Sequence, residues 1–238
     1  MSVALVMAGQ DRPLIPSCRT EITFLEAGWP AEAVRRDNLD SGRKKYVINQ
    51  HVLESGGGLL MFLDADDWVD VTLVAAARAT IGPDHIGGLI DAGFATDVQS
   101  LRAARLPHPR IFDGEFHRIC GSSTVANLRP DAALPLHRNP YEVLHEHYRW
   151  KEVARENGVA PVRLPVLGNY VINTRQNHSE HFGPFARWRR DFNRAVDREG
   201  QDVDAAFLAR FGLTTGKLHS VSERFFASCG AQLSSSLG

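Results

Sequence analysis

Residues 56–70, GGGLLMFLDADDWVD, constrain the fold of this chain more than any other stretch. Five consecutive apolar residues, 59–63, run directly into the carboxylates of Asp64, Asp66 and Asp67. A short, continuous apolar run preceded by glycines is typical of a strand that is buried on both faces. The stretch therefore predicts an interior strand whose end carries a concentration of negative charge.

The segments around this strand alternate between strand-like and helix-like patterns. Strands are predicted over 3–9, 21–28, 59–64 and 86–97, and helices over 43–55 and 68–82. Such alternation favours a mostly parallel sheet with helices on both faces. The expected fold class is therefore α/β.

The rest of the chain is less regular. Extended structure is predicted over 117–129 and 162–175, and helices over 140–158, 182–200 and 203–212. No internal repeat or long linker divides the 238 residues, so a single domain over 1–238 is expected. A hydrophobic content of 43% is enough for a core, and a formal net charge of −1 gives no field that would attract nucleic acid.

Cysteine usage and apolar run length bear on location. The three cysteines are widely spaced and form no CxxC pair, which is typical of a reduced, cytoplasmic protein. No apolar run approaches the roughly 20 residues that span a bilayer. Residues 185–198 combine five arginines with apolar residues at helical spacing, which fits peripheral contact with the inner membrane surface or an ordinary helix with one core face.

The carboxylates after the strand predict a cation site. Asp64 and Asp66 are two positions apart, so in an extended chain they point the same way and repel unless a cation lies between them. Mg²⁺ or Mn²⁺, completed by the phosphates of a diphosphate, is the usual solution. The alternative is that the acids serve a helix N-terminus, with Asp67 as the N-cap of the helix over 68–82.

Three segments resemble the family 2 glycosyltransferases of the GT-A fold. LLMFLDADD (59–67) is similar to their nucleotide-sugar motif, with Asn49 fifteen positions before Asp64 and Gly57 before the strand. HEHYRWKEVARENG (145–158) is similar to the family's later helix, and NYVINTRQNHS (169–179) to a segment that ends in a histidine. His147 stands where the family carries an Asp base.

The resemblance implies a metal-dependent, inverting hexosyltransferase-like enzyme. It would move a sugar from a nucleotide-diphosphate donor, a UDP-sugar, to a hydroxyl of a glycan, lipid-linked or small-molecule acceptor. The implied donor-binding residues are Asp64, Asn49, Lys45 and Ala65, the implied metal ligands are Asp66 and His178, and the implied base is Glu146 or His147.

The resemblance also divides the single GT-A-like domain into three parts. Residues 1–100 would bind the nucleotide-sugar, 101–180 would form the acceptor and catalytic half, and 181–238 would form C-terminal helices. The family's motifs after its first two strands have no counterpart in MAGQDRP or LEAGWP, so contacts to uracil are not carried over.

Two other functions remain open on the sequence. VALVMAGQDRPLIP faintly resembles the start of sugar nucleotidyltransferases, but two glycines that such a phosphate-binding loop needs are missing. A non-catalytic relative that binds a sugar nucleotide or a partner without turnover is the other alternative, since an Asp-to-His change at 147 and a short N-terminal part are compatible with it.

Overall fold

A computed structural model of the chain describes residues 3–12, 21–30, 39–174 and 185–214. The strands are β1 (Ala4–Gly9), β2 (Glu21–Glu26), β3 (Gly58–Met61), β4 (Gly87–Leu89), β5 (Gly93–Asp97), β6 (Arg102–Leu106), β7 (Thr124–Leu128), β8 (Val162–Arg163), β9 (Gly168–Ile172) and β10 (Gln201–Asp202). The helices are α1 (Leu39–Glu54), α2 (Leu73–Thr80), α3 (Pro135–Arg138), α4 (Pro140–Leu144), α5 (Trp150–Glu156), α6 (Ala186–Glu199) and α7 (Ala205–Arg210), with single 3₁₀ turns at Phe116–Arg118 and His147–Arg149.

The strands form three sheets, and their directions are mixed. A two-stranded sheet pairs β1 with β2, and two four-stranded sheets have the orders β3-β7-β4-β8 and β10-β6-β5-β9. Within the described ranges three strand pairs are parallel and four are antiparallel. The α/β class is confirmed, but a mostly parallel sheet is wrong, because β7 runs antiparallel between β3 and β4 and a short turn joins β5 to β6.

The strand predicted over 86–97 is two strands that belong to different sheets. It is interrupted at 90–92, between β4 and β5, and its parallel neighbour is interrupted at 164–167, between β8 and β9. Backbone bonds from Leu164 N–H to Leu89 O (2.8 Å) and from Gly168 N–H to Ala92 O (3.2 Å) continue the pairing across the break. The two four-stranded sheets are therefore joined along one pair of neighbouring segments.

Two apolar clusters form the core. The larger lies between α2, α6 and the sheet that contains β5 and β9, and it includes Phe116 and Phe192. The smaller lies beneath α4 and α5 and is centred on Trp150, which is fully buried. The smaller cluster supports the segment that carries Glu146 and His147.

The predicted helix over 68–82 begins later, and Asp67 does not cap it. Helix α2 starts at Leu73, and Asp70 Oδ1 accepts from the N–H (2.9 Å) and the hydroxyl (2.6 Å) of Thr72 just before it. The capping interpretation of Asp67 is therefore wrong, because the N-cap residue is Thr72, five positions later, and no side chain caps the helix there.

The predicted helix over 140–158 is broken in the middle. His145 has φ 59° and ψ −131°, which no helical residue adopts, and it separates α4 from a 3₁₀ turn and α5. Glu146 is extended, with φ −67° and ψ 142°. The expectation that Glu146 and His147 occupy successive positions on one α-helix is therefore wrong.

Helix α6 has one face in the core and an exposed N-terminal turn. Phe192 and Val196 are buried, whereas Phe185 and Trp188 are 67% and 38% exposed. The amphipathic pattern is thus confirmed as that of a helix with a core face. No helix in the described part of the chain is both long and apolar enough to cross a bilayer.

Candidate functional site

One cavity of about 330 Å³ brings together residues from distant parts of the sequence. Its walls come from α1, the segment after β3, the start of β7 and the stretch around 139–147. Four of the residues predicted for the site line it. Lys45 and Asn49 come from α1, and Glu146 and His147 come from the stretch between α4 and α5.

Asp64 lies at the end of β3, close to the wall formed by Lys45. Its backbone N–H donates to Ser122 Oγ (2.8 Å), and its carboxylate Oδ1 is 3.5 Å from Lys45 Nζ. The side chain is 44% exposed, so the carboxylate stays accessible to a ligand. The site that a Cβ would occupy at Gly121 is 2.9 Å from Asp64 Oδ2, so Gly121 lies directly beside this carboxylate.

Helix α1 presents Lys45 and Asn49 to the cavity because they are four residues apart and share one face. The Lys45 ammonium lies 5.9 Å from the centroid of Phe62, which also lines the cavity. Asn49 is 4% exposed, and its Oδ1 is buried without a hydrogen-bond partner in the described part of the chain. An unsatisfied buried acceptor is costly, so a donor on a bound ligand would stabilise this site.

His147 is oriented by a hydrogen bond to the backbone carbonyl of His117. Its Nδ1 lies 2.5 Å from the carbonyl oxygen of His117, and a carbonyl only accepts, so Nδ1 carries the proton and donates. In the neutral ring, Nε2 is then left as an acceptor. Burial lowers the pKa of His147, an effect that the carbonyl bond and the charge of Glu146 oppose. The ring is therefore held in the tautomer that accepts a proton at Nε2.

His117 lies directly behind His147 and is fully buried. Burial lowers the pKa of His117 to about 4, against smaller and opposite effects of Glu115. Neither ring nitrogen has a hydrogen-bond partner in the described residues. His117 is therefore neutral at physiological pH, and its contribution to the site is the carbonyl that orients His147.

Asp67 has a structural position instead of a cap or ligand position. It is 8% exposed, and its Oδ1 accepts from the backbone N–H of Val171 (3.1 Å) while Cys120 Sγ lies 3.4 Å from Oδ2. Burial raises the pKa of Asp67 to about 7. The side chain links the segment after β3 to β9 and thereby anchors the segment that carries Asp64.

The remaining predicted donor and metal residues lie in a turn or outside the described ranges. Ala65 is exposed and Asp66 partly exposed, in the turn that follows Asp64, and His178 lies outside the described residues. Across 3–12, 21–30, 39–174 and 185–214, no three His, Cys, Asp or Glu side chains converge to hold a metal ion. The carboxylates of Asp64 and Asp66 are nonetheless suitable ligands for Mg²⁺ or Mn²⁺, because such ions are often bound by one or two carboxylates together with substrate phosphates.

Two cavity residues, Tyr141 and His145, were not identified from the sequence. Tyr141 lines the cavity, its hydroxyl lies 3.1 Å from Leu60 O and 3.0 Å from Thr124 O, and burial raises its pKa to about 12. His145 lines the cavity from its positive-φ position. Nothing in PYEVLHEHYRW distinguishes these residues from an ordinary helix, since no Gly or Pro marks the break.

Asp40 connects the N-terminal sheet to the cavity helix. Its Oδ1 accepts from Gln10 Nε2 (3.0 Å), which follows β1, and from Trp29 Nε1 (2.8 Å), which follows β2. Its Oδ2 pairs with Lys44 (2.6 Å), and that hydrogen bond is the main reason why the pKa of Asp40 is lowered. Gln10 and Trp29 therefore contact α1 at Asp40, five residues before Lys45.

No protein-family model, curated protein or solved structure matches this chain.

Proposed function

We propose that the protein is a metal-dependent glycosyltransferase of GT-A type. It would transfer a sugar from a nucleotide-diphosphate donor, a UDP-sugar in the first instance, to an acceptor hydroxyl, with inversion. The single observation that carries this proposal is that Lys45, Asn49, Glu146 and His147 line one cavity, with Asp64 3.5 Å from Lys45. These residues come from separate segments of the sequence.

The wall formed by α1 and the end of β3 suits the donor. Asp64 is an exposed acceptor for a ribose hydroxyl, and the ammonium of Lys45, 3.5 Å away, is placed to meet a phosphate oxygen. Asn49 offers a buried carbonyl oxygen that lacks a donor in the described part of the chain. Together they provide one acceptor for a sugar hydroxyl, one cation for phosphate and one further acceptor.

The stretch around 139–147, which lines the same cavity, suits deprotonation of the acceptor hydroxyl. A general base needs a free lone pair within hydrogen-bond reach of the hydroxyl and a pKa near or below the working pH. The Nδ1 proton of His147 is occupied by the His117 carbonyl, which leaves Nε2 as that acceptor. Burial lowers the pKa of His147 and keeps the ring neutral and ready at neutral pH. His147 is therefore the base in this proposal.

Glu146 then has a supporting role. Its charge raises the pKa of His147 and so opposes the effect of burial. The same charge would stabilise the imidazolium that forms when the proton arrives. Glu146 lines the cavity and is exposed, so it also offers a carboxylate to acceptor hydroxyl groups.

Asp66, with Asp64 beside it, would hold the metal ion together with the two phosphates of the donor. When bound, Mg²⁺ or Mn²⁺ supplies a Lewis acid for the leaving nucleoside diphosphate. In this arrangement Lys45 would orient the diphosphate, and the sugar would lie between Lys45 and His147.

Thermal melting with UDP, UDP-sugars and other nucleotides, with and without Mn²⁺, tests the donor half of this proposal. A ligand at one hundred times its Kd adds roughly 2.7 kcal/mol to the free energy of unfolding. We expect a metal-dependent shift with a nucleoside diphosphate that Asp66→Asn removes and that an exposed control, Asp84→Asn, retains. Retained metal-dependent binding in Asp66→Asn would contradict the assignment.

A non-catalytic, nucleotide-binding protein is the second candidate. The observation that favours it is the contact between Lys45 and Asp64. In this contact the lysine already partly neutralises the carboxylate to which the proposal assigns the ribose hydroxyl. The two functions differ in turnover. Such a protein would bind UDP-sugar with the same dependence on Asp64, yet release no UDP in the presence of any acceptor.

A further inference from the structure

A second cavity, separate from the first, is lined by arginine and apolar residues. It has a volume of about 380 Å³ and is formed by residues 163–167 together with Arg210. Strand β8 supplies Arg163 and helix α7 supplies Arg210. This cavity shares no lining residue with the cavity around His147, so it is a distinct place on the molecule.

Two of the arginines are positioned by carboxylates in the protein wall. Nε of Arg163 lies 2.9 Å from Asp91 Oδ1, and Nη1 of Arg210 lies 3.4 Å from Asp70 Oδ2. The carboxylates are 18% and 5% exposed, whereas the arginine side chains are 72% and 47% exposed. Each guanidinium has five N–H donors, so a single wall contact orients it and leaves donors for a ligand.

Arg105 does not line this cavity but lies beside it. It contacts Phe94, whose ring centroid is 4.9 Å from that of Phe207, one turn before Arg210 in α7. The Cζ of Arg105 lies 5.2 Å from the centroid of Phe94, its neighbour across the β5–β6 pair. Within the residues that the structure describes, no carboxylate pairs with Arg105. Burial lowers the pKa of Arg105, and the charges of Arg210 and then Arg163 lower it further. Among these three arginines, Arg163 and Arg210 each contact a carboxylate and Arg105 contacts none in the described part of the chain.

We propose that Arg105, Arg163 and Arg210 form a binding site for a phosphate group. The planar fork of a guanidinium matches phosphate oxygens in pairs, and a phosphate would neutralise the excess positive charge of the three arginines. Residues 164–167 give the cavity an apolar wall, which suits a phosphate joined to a carbon chain. The site does not depend on the proposed transferase function, because it uses none of the residues assigned to it.

Thermal melting at low ionic strength tests the proposal, with inorganic phosphate titrated against chloride at equal ionic strength. We expect a saturable stabilisation by phosphate whose midpoint rises about tenfold in Arg105→Gln and in Arg163→Gln, since each loses one charge-assisted contact. Arg155→Gln is the matched control, an exposed arginine of α5 that lines neither cavity. Because Arg163 is 72% exposed, its variant keeps the fold.

Co-sedimentation with vesicles separates the two sources of a phosphate group. Binding to vesicles of phosphatidic acid in phosphatidylcholine, weakened in Arg105→Gln, would assign the site to a lipid headgroup. Phosphate-dependent stabilisation without vesicle binding would assign it to a small phosphorylated compound. The proposal is overturned if both arginine variants respond like wild type, if Lys45→Gln alone loses the phosphate effect, or if neither phosphate nor vesicles bind.

Discussion

At the scale of single residues, His147 and the carbonyl of His117 determine the chemistry available in the cavity. The contact between Nδ1 and that carbonyl selects one tautomer, and burial keeps the ring neutral. A histidine on a solvated helix would have neither property. The local break at His145 is what allows His147 to turn toward Gly121 and the end of β3.

A pH profile checks the assignment of the base. In the proposed transferase the neutral form of His147 would act as the base. Burial lowers the pKa of His147 below the ordinary histidine value of about 6.5, so the acid limb of kcat/KM should lie below that pH. Glu146→Gln removes a charge that raises this pKa, so the limb should move to still lower pH while activity at pH 8 persists. Loss of all activity in Glu146→Gln, with binding intact, would make Glu146 the base instead.

Substitutions at Asp67 test its structural position. Asp67→Ala leaves the buried N–H of Val171 without its acceptor and should lower the free energy of unfolding by about 1–3 kcal/mol. Asp67→Asn retains an acceptor oxygen and should lose less. Denaturant unfolding measures both, with the exposed Asp84→Ala expected within about 0.5 kcal/mol of wild type. An equal loss in the Ala and Asn variants would argue against the Val171 contact as the cause.

At the scale of elements, the connection between α1 and β3 depends on a close approach that only glycine permits. Gly57 has φ +78°, and a Cβ there would lie 2.3 Å from Leu128 O on the neighbouring strand β7. Gly56, with φ +97°, has open space around the same position. A Cβ would therefore clash at Gly57 but not at Gly56, whereas the positive φ of both positions disfavours residues other than glycine.

The pair Gly57→Ala and Gly56→Ala separates these two effects. Gly56→Ala should lose about 1–2 kcal/mol of unfolding free energy through backbone strain alone. Gly57→Ala should lose about 1–3 kcal/mol more, because β3 and β7 must also move apart. Thermal or denaturant unfolding compares them directly. Equal losses would mean that the clash with Leu128 O is relieved at no cost.

Secondary-structure elements were predictable where the local sequence pattern fitted only one type of structure. The apolar runs of β1 and β2 and the long helix α1 are found close to their predicted ranges. The prediction of an interior strand over 59–64 is wrong, because β3 ends at Met61, lies at the edge of its sheet and leaves Leu59 39% exposed. The helix over 140–158 was not found as predicted, because its break at His145 involves a positive φ without a glycine, and the burial of Trp150 stabilises it only once the chain has folded. The strand over 86–97 failed similarly, since its two halves pair in different sheets.

At the scale of the whole molecule, the residues that the resemblance implied for the site can be compared with the cavity. Lys45, Asn49, Glu146 and His147 line one cavity, and the roles that the resemblance implies for them stay predictions. The carbonyl of His117, the hydroxyl of Tyr141 and the contacts of Asp40 depend on neighbours distant in sequence. Neither hydrophobic periodicity nor the spacing of residues in the sequence predicts such contacts.

Global stability should depend on pH through His117. Its folded pKa of about 4 lies below the unfolded value of about 6.5, so between these values the unfolded chain binds a proton that the folded chain does not. Stability should therefore fall as pH drops from about 6.5 to 4, by up to about 1.4 kcal/mol per pH unit from this residue. Unfolding of His117→Asn over the same range should show a shallower slope. An unchanged slope would mean that other groups dominate.

Release of UDP from UDP-sugars with Mn²⁺, in wild type and in His147→Gln, tests the central claim most directly. We expect metal-dependent release of UDP that an acceptor accelerates in wild type. In His147→Gln, kcat should fall by at least about a hundredfold while UDP binding is unchanged. Equal turnover in the two proteins, or binding without any turnover in wild type, would contradict it.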